Sequence, residues 1–129
     1  MNTEHALSAF SSLSQETRLA AFRLLMEYGH SGAAAGTLSS ALNVPANTLS
    51  FHLSHMAQAG LVTTERQGRS IIYRADMTFF AGLMRFMVEN CCRADVATIR
   101  NDDAKNCAII EIMHCCDTSS PTPTEGTQT

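Results

Sequence analysis

No stretch of this chain approaches the roughly 18–20 consecutive apolar residues that a membrane-spanning helix needs. The N-terminus, MNTEHALSAF, lacks the basic start, apolar segment and small-residue cleavage site of a secretory leader, so a cytoplasmic protein with no membrane partner is expected. Also lacking are an internal repeat, a glycine-rich phosphate loop, a nucleophile elbow and a C-x-x-C pair. Those absences point away from an enzyme and from any organic cofactor. Cysteine is missing from the first ninety positions, and all five cysteines fall after them. Without a leader a disulfide framework is disfavoured, which leaves reduced, clustered thiols suited to a soft metal or to redox sensing.

What is present fits one domain. The chain has 129 residues, 45% of them hydrophobic and 16% charged, enough apolar material for a packed core. Its net charge of −3 is unevenly spread. Between residues 46 and 74, Arg66, Arg69 and Arg74 face only Glu65, a small basic island in an otherwise acidic chain. A local patch of this kind meets phosphate whatever the overall sign.

Apolar spacing predicts a short helix over residues 4–12. A second, capped by Ser12 or Ser14, runs to Tyr28 and Gly29, with Leu19, Phe22, Leu25 and Met26 toward a core. A flexible GHSGAAAG follows. Thr37 then caps a helix over 38–42, Asn43-Val44-Pro45 breaks the chain, and a further helix spans 46–59 and stops at Gly60. Two short helices joined by a tight break form a helix-turn-helix.

On the second of these helices, 100° per residue places Leu49, Leu53 and Met56 on one side. The other side carries Asn47, Thr48, Ser50, Phe51, Ser54 and His55, short hydrogen-bonding groups and one aromatic, with no acidic residue. Such a face suits base edges and phosphates in a major groove, whereas an ordinary solvated face carries Glu and Lys. His52 lies nearer the core side and is expected to pack and bond to backbone, leaving His55 to point outward. Residues 61–65 and 70–74 flank Arg66-Gln67-Gly68-Arg69 as a hairpin with Arg66 and Arg69 at its tip. The expected fold is therefore mainly α with a β-hairpin wing, a winged helix-turn-helix.

Asp76 caps a last long helix, MTFFAGLMRFMVENCC, apolar around more than half its circumference. Phe79, Leu83, Phe86 and Met87 are expected to pair with a second copy, making a homodimer. Residues 1–116 are expected to form one winged-helix DNA-binding and dimerisation domain with a C-terminal thiol site. From position 117 on, eleven of thirteen residues are Thr, Ser, Pro, Gly or Gln, so 117–129 is expected to be a disordered tail.

The segments ETRLAAFRLL and TLSSALNVPANTLSFHLSHMAQAGLVTTERQGRSIIYR resemble the ArsR/SmtB family of metal-responsive bacterial repressors. The likeness covers roughly residues 5–90. It implies a dimeric repressor that leaves operator double-stranded DNA when a metal or metalloid binds. The recognition-region cysteine motif of some arsenite sensors is absent here. Zinc sensors place Asp and His on the last helix, where this chain offers Asp76 and Glu89 but no His before His114. The pair Cys91-Cys92 with Cys107 is similar to variant arsenite repressors whose adjacent cysteines end the dimer helix. The resemblance thus implies As(III), or Sb(III), as inducer. Cys115 and Cys116 are the lesser candidates. Fourteen residues separate Cys92 from Cys107, a long gap that loop-closure entropy tolerates because each doubling costs only about 0.6 kcal/mol. The alternatives are a redox- or persulfide-sensing repressor of the same fold and a sensor of Cd or Pb.

Overall fold

A computed structural model describes residues 1–90 of the chain. The Cys91-Cys92 end of the expected last helix, the tail at 117–129 and all five cysteines lie outside the described residues.

Helix α1, Thr3–Leu13, starts where the Asn2 side chain accepts from the His5 amide at 2.8 Å. Helix α2, Glu16–Tyr28, is capped by Gln15, whose Oε1 accepts from the Arg18 amide at 2.8 Å. Neither Ser12 nor Ser14 caps it: Ser14 closes α1 by donating to the Ser11 carbonyl, and Ser12 is buried. A single 3-10 turn, Gly29–Ser31, leads into strand β1, Ala33–Ala34. The flexible link expected here is therefore partly a strand, and helix α3, Ala35–Leu42, starts earlier than a Thr37 cap would place it.

Asn43 adopts a left-handed conformation after α3 (φ 56°), and the Ser39 hydroxyl donates to the Val44 carbonyl, closing the break before Pro45. Helix α4, Ala46–Gln58, follows. Strands β2, Val62–Gln67, and β3, Ser70–Ala75, pair antiparallel in the register Val62↔Ala75 through Gln67↔Ser70. Only Gly68 and Arg69 lie between them, and Gly68 takes φ 63°, as the first position of a type II′ hairpin requires. β1 adds to the far side of β3, giving the order β1-β3-β2.

Asp76 caps helix α5, Met77–Val88, its Oδ1 accepting from the Phe79 amide at 2.9 Å. Residues 1–87 form one compact unit. Its core joins Phe22 and Leu25 of α2, Leu38 of α3, Leu49, Leu53 and Met56 of α4, Leu61 and Val62 of the wing, and Leu83 of α5. The apolar stripe of α2 is narrower than its spacing predicts. Leu19 and Met26 are exposed, because the core meets that helix along Ala21, Phe22 and Leu25.

Candidate nucleic-acid interface

Helix α4 is anchored from below. Leu49, Leu53 and Met56 have no exposed surface, so the helix is held by apolar contacts one turn apart. Its other side stands free: Asn47, Thr48, Phe51 and Ser54 are exposed, with Phe51 at 67% the most exposed large apolar residue of the described chain. No acidic or lysine side chain interrupts this face. Ser50 is half-buried and lines a cleft of about 280 Å³ between α4 and the wing, together with Gly36, Arg69, Ser70 and Tyr73. The cleft brings Ser50 of the helix and Arg69 of the wing turn to one opening.

The wing projects from the core, since Thr63 through Gln67 on β2 are all exposed. Arg69 occupies the second loop position, whereas Arg66 lies on β2 opposite Ile71, one pair short of the tip expected for it. Arg74 is committed elsewhere. Its Nη1 lies 2.6 Å from Glu65 Oε1, the one ion pair among the described residues, and its Nε donates to the His30 carbonyl at 2.7 Å. Pairing of Glu65 with Arg74 leaves the positive charge of the basic island on Arg66 and Arg69.

The two histidines of α4 both turn inward. His52 Nδ1 accepts from Arg18 Nη1 at 3.1 Å, so its partner is a side chain rather than backbone. Burial lowers the His52 pKa from the ordinary histidine value, and the charges of Arg18 and His55 add to the effect. His55 does not project freely as its helical position suggested: its Nδ1 lies 3.0 Å from the buried Ser12 hydroxyl of α1. Arg18 also donates from Nε to the Ser12 carbonyl at 2.6 Å. Ser12 and Arg18 drew no functional expectation from the sequence, since their partners lie 43 and 34 positions away and no local spacing signals such pairs.

Of the residues expected to pair two copies, Met87 is 58% exposed, while Phe79 and Phe86 are half-buried. Leu83 is instead fully buried in the core of the single chain. Exposed apolar surface also lies on α1 at Leu7 and Phe10 and on α2 at Leu19 and Met26. Among the described residues no group of three or more His, Cys, Asp or Glu could hold a metal ion, and Asp76 is engaged as the α5 cap.

Residues 13–65 match a helix-turn-helix domain family. The chain is similar to the ArsR-like transcriptional regulator from Rhodococcus sp. RHA1, at 28% identity over 73% of this chain and 86% of that one, with a TM-score of 0.63. It has the winged helix-turn-helix fold of ArsR-like transcriptional regulators. The same fold appears in HlyU from Vibrio cholerae N16961, at 23% identity over 71% of this chain and 99% of that one (TM-score 0.56). It appears again in Mb0332 from Mycobacterium bovis, a homodimeric winged helix-turn-helix DNA-binding domain and possible ArsR-family regulator. That match has 21% identity over 68% of this chain and 82% of that one, with a TM-score of 0.53. The Rhodococcus protein is described as a transcriptional regulator and the Mycobacterium bovis fragment as a DNA-binding domain. No curated protein matches the sequence significantly. No helix among the described residues is long and apolar enough to cross a membrane.

Proposed function

We propose that this ArsR-like winged-helix protein is a cytoplasmic, arsenite-responsive transcriptional repressor. A homodimer binds operator DNA and leaves it when As(III), or Sb(III), is taken up by the thiolates of Cys91, Cys92 and Cys107. The observation that carries the DNA half is the exposed, acid-free face of α4 beside Arg69. A symmetric dimer places two such helices about one helical turn apart on an imperfect palindrome. The exposed apolar surface of α1 and α5 supports the dimer, as does the homodimeric state of the Mycobacterium bovis domain.

The inducer half rests on donor chemistry. All five cysteine thiols follow α5 in the sequence, and they include two adjacent pairs. Adjacent cysteines are a poor disulfide, because one trans peptide fixes their Cα atoms at 3.8 Å. Both can bind one large soft centre, which trivalent arsenic provides, with Cys107 as the third sulfur. Thiolates ligate, so uptake releases protons. Since these ligands are not on α4, the inducer acts by favouring a dimer arrangement mis-spaced for DNA, with a coupling of about 1–3 kcal/mol.

A second reading, a redox- or persulfide-sensing repressor of the same fold, is favoured by the two cysteine pairs, Cys91-Cys92 and Cys115-Cys116. One titration separates the two. Anisotropy of a labelled operator duplex is followed as arsenite, antimonite, zinc, cadmium and peroxide are added in turn. Release by arsenite under reducing conditions supports the first reading; release by peroxide alone supports the second.

A further inference from the structure

Resting on the DNA-binding reading, we propose that Arg18 and His52 are positioning residues that hold α4 in its DNA-reading orientation, and that a proton on His52 Nδ1 releases this hold. Three helices converge on the guanidinium of Arg18. It sits in the first turn of α2, donates from Nε to the Ser12 carbonyl near the end of α1, and donates from Nη1 to His52 in the middle of α4. The Ser12 hydroxyl reaches His55 one turn further along α4. His52 and His55, three positions apart, therefore tie one side of α4 to the α1–α2 corner. Phe51 and Ser54 precede them directly in the chain and are exposed, so a tilt of α4 about this corner moves the reading face itself.

The protonation state of His52 follows from the donor. A guanidinium has five N–H groups, no acceptor, and a permanent charge. The contact with Arg18 Nη1 thus requires a neutral imidazole with its lone pair on Nδ1 and its hydrogen on Nε2. A proton on Nδ1 removes the acceptor and sets two positive groups about 3 Å apart. The charged or titratable groups acting on His52 are Arg18 from α2 and His55 from its own helix. α1 contributes the neutral Ser12 hydroxyl and carbonyl. Burial and the Arg18 charge lower its proton affinity, in keeping with the neutral form at neutral pH. The expected direction is also distinctive. A protein that gains positive charge as pH falls should bind DNA more tightly, whereas loss of the hold weakens binding.

The test uses the full-length protein with and without DNA. Operator affinity is measured by anisotropy from about pH 8 to about pH 5.5, for the unmodified protein and for His52→Asn, whose amide oxygen can accept from Arg18 without titrating. Imidazole nitrogen shifts and α4 amide exchange are followed by NMR on the DNA-free protein. The proposal expects His52 to be the Nε2–H tautomer. It also expects α4 exchange to quicken as His52 titrates and affinity to fall by up to about tenfold per pH unit per protomer. His52→Asn should bind within a few-fold at the upper pH and lose the acid fall. An equal fall in both proteins, or an Nδ1–H tautomer, overturns it. Absence of operator binding at the upper pH would refute the DNA reading instead, and the tautomer and exchange data would still decide the Arg18–His52 hold.

Discussion

Gly60 and Phe79 fix the angle at which the chain leaves α4. Gly60 takes φ 91°, and a Cβ placed on it would lie 2.9 Å from the Phe79 ring of α5. The turn into the wing therefore depends on a residue without a side chain, in a backbone region that L-residues rarely adopt. Gly60→Ala should lower stability by about 1–3 kcal/mol. Urea denaturation at unchanged m-value is the measurement, and an unaltered midpoint would contradict the close approach.

The reading face separates two kinds of contact. Asn47→Ala or Ser54→Ala should weaken specific binding by roughly 1–3 kcal/mol while leaving random-sequence DNA nearly unaffected. Arg69→Ala should weaken all sequences alike and reduce the salt slope by about one per protomer. Anisotropy across a salt series distinguishes them, and unchanged affinity in both variants would remove the groove assignment.

These two expectations rest on different kinds of legibility. The face of α4 was readable because helical periodicity is local: Leu49, Leu53 and Met56 are buried where 100° spacing places them. The wing was readable from its glycine turn between β-rich runs. The inward turn of His55 has no such local signal, because its direction is set by Ser12, far away in sequence, and a side chain at the edge of a helix face can turn either way. β1 was invisible for a related reason. Ala33 and Ala34 have no strand preference of their own, and their pairing with Tyr73 and Ile72 exists only once β3 is in place. Periodicity offers Leu83 as a contact for a second copy because its helix is apolar around more than half its circumference, and it cannot say which part of such a surface the core takes.

That distinction carries over to the dimer. Met87→Asp should shift the protein toward monomer with little loss of fold, because Met87 is exposed in the single chain and its burial against a second copy is worth roughly 1.5–3 kcal/mol. Leu83→Ala should act on the fold instead, at about 2–5 kcal/mol. Sedimentation together with thermal denaturation resolves the two effects; a fully dimeric Met87→Asp protein would place the interface elsewhere.

The His52 pKa, depressed chiefly by burial, also sets the sign of a stability change. The folded protein holds this proton less tightly than the unfolded chain does. The stabilising contribution is therefore present above the ordinary histidine range near pH 6.5, and is lost as pH falls through the folded value. Chemical denaturation across this window should show a smaller decline for His52→Asn than for the unmodified protein. Equal declines would assign the effect to other groups.

The most direct test of the regulatory account is arsenite-driven release of a labelled operator, compared among cysteine variants. Cys91→Ser, Cys92→Ser and Cys107→Ser should each keep operator affinity and lose release, while Cys115→Ser and Cys116→Ser should still release. Release that survives in the Cys107 variant and fails in the Cys115 or Cys116 variant would contradict the proposed thiolate set and move the third sulfur to the distal pair.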